Sequence, residues 1–182
     1  TRQPQPAARE ALGLARTGKI ILLASGSIGC GPLAELYAKL GNELPADSTV
    51  IVSCGSNQRL AKKLAAIQVT TRNRILGFTD QISTYMDAAD CFVTKASGIS
   101  TTEALAKGTP TILLNAIGGC ETYNYRFMTK NGLMLGAESA DEAAKLILNR
   151  QYERPAPAHA NWLARTLIRK TIHQAAQRIS AP

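Results

Sequence analysis

Short apolar runs and helical patterns alternate six times along this chain, which predicts a doubly wound α/β domain with a parallel sheet of about six strands. The apolar runs support it. Those at residues 19–24 and 49–54 are continuous rather than alternating, the signature of strands buried on both faces. The junctions support it too, because most runs end in a loop of small residues that opens onto a helix. In such a sheet the strand carboxyl ends and helix amino ends face one crevice, where ligands bind at a topological switch point.

Residues 1–17 open with Gln-Pro-Gln-Pro before a short helical pattern, and a proline-rich opening reads as a stiff interdomain linker. The first strand, 19–24, leads into Ser25-Gly-Ser-Ile-Gly-Cys-Gly31 and a helix over 32–40, with Pro32 at a first helical position. A second strand at 49–54, a loop at 55–57 and a helix at 58–66 repeat the unit. A third strand is predicted at 74–78, with Thr79 and Asp80 as candidate caps of a helix running to 89. The fourth strand, 91–94, precedes a helix at 100–107 closed by Gly108. Then come a strand at 109–115, a helix at 121–131, a strand at 133–136, and a helix at 139–149 with Ser139 and Glu142 spaced as a capping box. Beyond a second linker at 153–157, residues 161–179 carry an amphipathic helical pattern. The domain is therefore expected at 18–150, with 1–17 as a linker and 151–182 as linker and terminal helix.

Lys and Arg number 21 against 13 Asp and Glu, a net charge of +8, which suits an anionic partner. Aromatic residues are only 5%, and neither an RNA-recognition motif nor zinc-finger spacing is present, so nucleic acid is not expected. Four scattered cysteines without a C-x-x-C pair argue against a metal site or a disulfide framework and suit a reducing cytoplasm. No apolar run reaches the roughly 20 residues that cross a bilayer.

Two loops dominate the chemistry. Residues 96–100 and 116–120 each follow an apolar run and precede a helix, with Glu103 and Glu121 expected in first helical turns, their carboxylates toward the crevice. Small residues admit a ligand close to the backbone, and helix amino ends favour anions. The loop at 25–31 is a natural phosphate cradle. It lacks the Lys-Ser/Thr of a Walker loop and the G-x-G-x-x-G spacing of a dinucleotide fold, and Cys54, not an acid, ends the second strand. Lys95 reads equally as a phosphate ligand or a solvated strand end. Periodicity alone assigns Phe78 to the core. His159 and His173 read as solvated, and no motif makes Cys54 or Cys120 a nucleophile.

Four runs in order, SGSIG, CGSNQRL, LGF with YMDAADCFVTKASGISTTEAL, and GGCETYN, resemble the carboxyl-terminal, donor-binding half of GT-B glycosyltransferases. The likeness, over about residues 19–149, is to monogalactosyldiacylglycerol synthases, processive diacylglycerol glucosyltransferases and the lipid II GlcNAc-transferase. It implies a Rossmann-like half-domain. It places uracil near Phe78, ribose hydroxyls on Glu103, and diphosphate against Gly26, Ser27, Ile28, Gly29, Ser97 and Gly98 and the helix start at Ser100 and Thr101. It places the sugar at Gly118, Gly119, Glu121 and Asn124. Cys120 stands where relatives often carry Gln, which leaves the sugar open, and Ser97 stands where some carry Gly or Pro, a departure that still suits phosphate binding.

The resemblance implies an inverting hexosyltransferase that uses a UDP-sugar as co-substrate, with no cofactor, no metal and a lipid acceptor such as diacylglycerol. It also implies that the general base lies in an amino-terminal domain. By that reading this fragment binds donor but does not transfer sugar alone, and the enzyme works in the cytoplasm at the inner face of the cell membrane. Rival expectations are a UDP-sugar epimerase half, a donor-binding subunit with a separate acceptor subunit, and a module for another nucleotide.

Overall fold

The computed structural model describes residues 2–26, 28–29, 31–115 and 120–152. Of the sequence expectations, Ser27, Cys30, Gly118, Gly119, His159, His173 and the terminal helix at 161–179 lie outside them.

Six parallel strands form one sheet: β1 (Ile20–Ala24), β2 (Thr49–Ser53), β3 (Arg72–Leu76), β4 (Cys91–Lys95), β5 (Thr111–Leu114) and β6 (Leu135–Ala137). Their spatial order is β3-β2-β1-β4-β5-β6. The order reverses between β1 and β4, so the crevice of this doubly wound sheet opens there. The helices are α1 (Gln5–Ala11), α2 (Leu33–Glu43), α3 (Gln58–Ala65), α4 (Ile82–Ala88), α5 (Gly98–Lys107), α6 (Cys120–Lys130) and α7 (Ala140–Leu148).

Side chains alternate along each strand, and that alternation splits the core in two. Ile21 and Leu23 join Leu33, Leu36, Tyr37 and Leu40 of α2, Leu64 of α3 and Ala143 and Ile147 of α7 on one face. Ile20 and Leu22 join Ala8 of α1, Tyr85 and Met86 of α4, Ala104 and Leu105 of α5 and Met128 of α6 on the other. Every residue of β1 and β2 is buried, as the continuous apolar runs predict.

Two boundaries near the crevice move, those of β3 and α5, and β6 also shifts, to Leu135–Ala137 from the expected 133–136. Strand β3 lies two residues earlier than its apolar run, because Thr49 pairs with Arg72 and Ser53 with Leu76. It is an edge strand whose polar Arg72 and Asn73 are exposed, so hydrophobicity does not mark its start. Phe78 thereby falls beyond the strand and is 78% exposed, not a core residue. Helix α5 begins at Gly98 rather than Ser100, which puts Glu103 in its second turn, not its first.

The stretch expected as a linker contains α1, which packs against α4 through Ala8. The Arg9 guanidinium explains the docking. It donates to the carbonyls of Ala88 (3.1 Å), Arg16 (3.0 Å) and Gly18 (3.3 Å) and to the Asp90 carboxylate (2.8 Å). Asp90 also accepts from the backbone N–H of Ile20 at 2.8 Å, which joins α1, β1 and the α4–β4 loop at one carboxylate.

Candidate functional site

Strand β1 ends in the first of two turns that frame the crevice. Gly26 (φ 71) and Gly29 (φ 54) lie in the left-handed region, and the Gly29 N–H donates to the Gly26 carbonyl at 3.3 Å. A Cβ on Gly29 would stand 2.7 Å from the Cys54 carbonyl oxygen, so both conformation and space require glycine. Ile28 between them is exposed. From the neighbouring strand–helix junction, Asn57 fixes this turn: its Nδ2 donates to the carbonyls of Ile28 and Gly29, both at 3.2 Å. Its Oδ1 accepts from the Leu60 N–H at 2.9 Å and caps α3. One amide thus ties two crevice loops together.

The second turn lies across the switch point. After β4, Ser97 caps α5 in extended conformation without using its side chain, and its buried hydroxyl has no partner among the described residues. The amide groups of Gly98, Ile99 and Ser100 begin a ten-residue helix and have no carbonyl one turn earlier within it to bind. They supply donors and partial positive charge at the crevice. Thr101 is fully buried, and its hydroxyl donates to the Ser97 and Gly98 carbonyls, so it braces the turn instead of lining it. Glu103, one turn further, is half-buried.

A third element closes the far side. Glu121 occupies the first turn of α6, where its Oε1 meets the Lys95 Nζ at 2.7 Å. Both side chains are largely buried, 17% and 16% exposed respectively. The other oxygen, Oε2, is buried and has no hydrogen-bond partner among the described residues. Asn124, one turn on, donates from Nδ2 to the Ala96 carbonyl at 3.0 Å and so couples α6 to the β4–α5 loop. Beside the two turns, a hollow of about 150 Å³ is lined by Ala24, Gly26, Ser53, Gly55, Phe78 and Ser100, among others. Buried Phe92 and half-buried Ile82 also line it, and the exposed Phe78 ring stands at its edge. Cys54 is buried below, and burial pushes its thiol up, which keeps it protonated and unreactive near neutral pH.

A larger hollow of about 640 Å³ lies at the other end of the sheet, between Thr109–Thr111 and residues 132–136. It abuts strand amino ends, where α/β sheets do not present helix amino termini. The crevice at β1 and β4 is the functional candidate.

The sequence matches the model of the family Glycosyl transferases group 1 over residues 33–157. This chain belongs to that family. It is 32% identical over 151 residues to the chloroplastic monogalactosyldiacylglycerol synthase of Spinacia oleracea, covering 80% of this chain and 29% of that one. It therefore spans less than a third of that relative's length. MurG of Acinetobacter baumannii shares the fold at TM-score 0.59 and 20% identity, covering 92% of this chain and 45% of that one. WaaG, a glycosyltransferase involved in lipopolysaccharide biosynthesis, does so at TM-score 0.61 and 16% identity, covering 88% and 44%.

Within this group 1 glycosyl transferase chain, the two turns, the hollow and the Lys95–Glu121 pair bring together Gly26, Ile28, Gly29, Phe78, Ser97, Gly98, Ser100, Glu121 and Asn124 of the predicted site, while Glu103 lies a turn further along α5. Sequence reasoning did not single out Asn57, and it left Lys95 between a phosphate ligand and a solvated strand end; the side chain is largely buried against Glu121. Asn57 stands in the CGSNQRL run, but its clamp on residues 28–29 is a contact across 28 positions. Lys95 ends β4, and only the fold sets it opposite Glu121. No helix of the described residues is long and apolar enough to cross a membrane.

Proposed function

We propose that this chain is the donor-binding half of an inverting, UDP-sugar-dependent hexosyltransferase whose acceptor is a lipid such as diacylglycerol. The observation that carries the reading is the convergence of the Gly26–Gly29 turn, the α5 amino end and the Lys95–Glu121 pair on one crevice. Backbone N–H groups, a helix terminus and an ammonium suit diphosphate. Carboxylates suit hydroxyls.

On this reading the base rests in the hollow beside Phe78, the ribose hydroxyls reach Glu103, and the diphosphate lies between the two turns. Ser97, whose hydroxyl has no partner among the described residues, adds a donor there. Displacement at the anomeric carbon transfers negative charge to the departing UDP. Amide donors already fixed by the fold stabilise that charge without reorganising, and one helix terminus contributes roughly 0.3–1 kcal/mol, up to about 2 when partly buried. The acceptor hydroxyl must lose its proton to a base, and no residue of the crevice described above is assigned that role. The base belongs to a second domain, so the chain alone binds donor without transferring sugar. A net charge of +8 suits an acceptor held at an anionic membrane face and supports a location at the cytoplasmic side of the membrane.

Calorimetric titration of UDP, ADP, GDP and NAD into the wild-type chain and a Glu103→Ala variant tests the reading. UDP is expected to bind selectively, and the variant to lose roughly tenfold or more with the charged hydrogen bonds to ribose. A preference for NAD or an adenine nucleotide contradicts it.

A further inference from the structure

The Lys95–Glu121 pair lies against the Gly26 turn that frames the crevice, and two details show what it is poised to do. A Cβ placed on Gly26 would lie 3.1 Å from Lys95 Cε and 3.8 Å from its Nζ, so the lysine stem crosses directly over the turn that follows β1. Its ammonium is within reach of anything bound against that turn. Meanwhile Glu121 uses only one oxygen. Its Oε2 is buried, has no partner among the described residues, and stands in the first turn of α6. A buried carboxylate oxygen without a donor is costly to keep, and a hydroxyl-bearing ligand would satisfy it.

Resting on the donor-binding reading, we infer that Lys95 is a donor-binding residue that exchanges partners. Without donor, its ammonium holds Glu121 at 2.7 Å and neutralises that carboxylate within the crevice. When a nucleoside diphosphate-sugar enters, its diphosphate draws the ammonium toward the Gly26 turn, and Glu121 turns both oxygens to the hexose hydroxyls. The ion pair thereby couples the two halves of the donor: the phosphates release the group that reads the sugar. UDP alone must break the pair and leaves Glu121 uncompensated, whereas a UDP-hexose supplies a new partner to each charge. No proton or bond changes hands, only the hydrogen-bond partners.

The coupling gives the two members of the pair opposite effects, which a merely structural ion pair would not. Calorimetric affinities for uridine, UDP and a UDP-hexose are measured on the full chain, wild type and with Lys95→Met, Lys95→Arg or Glu121→Ala. Lys95→Met should weaken UDP by roughly tenfold or more while leaving uridine unchanged, and Lys95→Arg should restore most of the loss. Glu121→Ala should tighten UDP by about threefold, because the ammonium no longer leaves a partner, and should remove the gain of UDP-hexose over UDP. Should Lys95→Met not fold, the Glu121→Ala result still decides. Equal losses of uridine and UDP in Lys95→Met, or weaker UDP binding in Glu121→Ala, overturn the exchange and leave a structural pair. Wild-type protein that binds neither uridine nor UDP overturns the donor-binding reading itself, a distinct outcome.

Discussion

Asn57 holds one crevice turn with its amide nitrogen and caps a helix with its amide oxygen, and substitutions can separate the two. In Asn57→Ala both are lost. The cap is worth about 1 kcal/mol, and the two bonds to the Ile28 and Gly29 carbonyls, at 3.2 Å and partly exposed, about 0.5–1.5 kcal/mol each. The expected destabilisation is about 2–4 kcal/mol. In Asn57→Asp the Leu60 N–H keeps an acceptor, and the α3 amino end favours the new charge. The turn, however, loses both donors and faces a carboxylate. Urea unfolding should therefore show Asp retaining about the 1 kcal/mol of the cap relative to loss of every contact. Calorimetry should show UDP binding weakened in Asp at least as much as in Ala, since the turn is what the ligand meets. UDP binding by Asn57→Asp equal to wild type would refute the reasoning: the clamp would then not organise the phosphate-facing turn.

Three further outcomes follow from the same structure. Replacing Arg9 with Met removes its bonds to the Asp90 carboxylate, which keeps the Ile20 N–H and Lys19, and to three carbonyls, and should cost about 2–3 kcal/mol in denaturant unfolding, more than a linker residue would. Gly29→Ala adds a left-handed backbone penalty of roughly 1–2 kcal/mol to a Cβ 2.7 Å from the Cys54 carbonyl oxygen, so both stability and UDP affinity should fall together. Glu138 accepts from Asn115 and from the Tyr125 hydroxyl, and these bonds hold its carboxyl below the usual range. A lowered folded value means the contribution is present above the ordinary glutamate range and fades as pH falls through the lowered one. Urea midpoints measured from pH 6 down to about 3 should therefore drop less steeply in Glu138→Gln than in wild type.

The parts of this fold that the chain announces are those decided by burial on both faces. Strands β1, β2, β4 and β5 read from continuous apolar runs, and the Ser139 cap from local spacing, since its hydroxyl accepts from the Glu142 N–H at 3.1 Å as predicted. What pairing decides was not readable. The start of β3 is polar and is set by its register with β2. The docking of α1 depends on Arg9 meeting Asp90 across 81 positions. Phe78 follows an apolar run and so resembles core, yet the strand ends at Leu76 and leaves the ring at the crevice rim. The candidate site divides the same way. Glycines and small residues at strand ends mark the turns in sequence, whereas the Asn57 clamp and the Lys95–Glu121 pair exist only once parallel strands bring distant loops side by side.

The central claim is that a uridine nucleotide occupies the crevice between β1 and β4. The most direct measurement is amide chemical-shift mapping of the chain during UDP titration. The account predicts the largest shifts at Gly26, Gly29, Phe78, Gly98, Ser100 and Glu103, at the strand carboxyl ends. Shifts centred instead on Gly132, Leu133 and Gly136, around the larger hollow at the opposite end of the sheet, would contradict it.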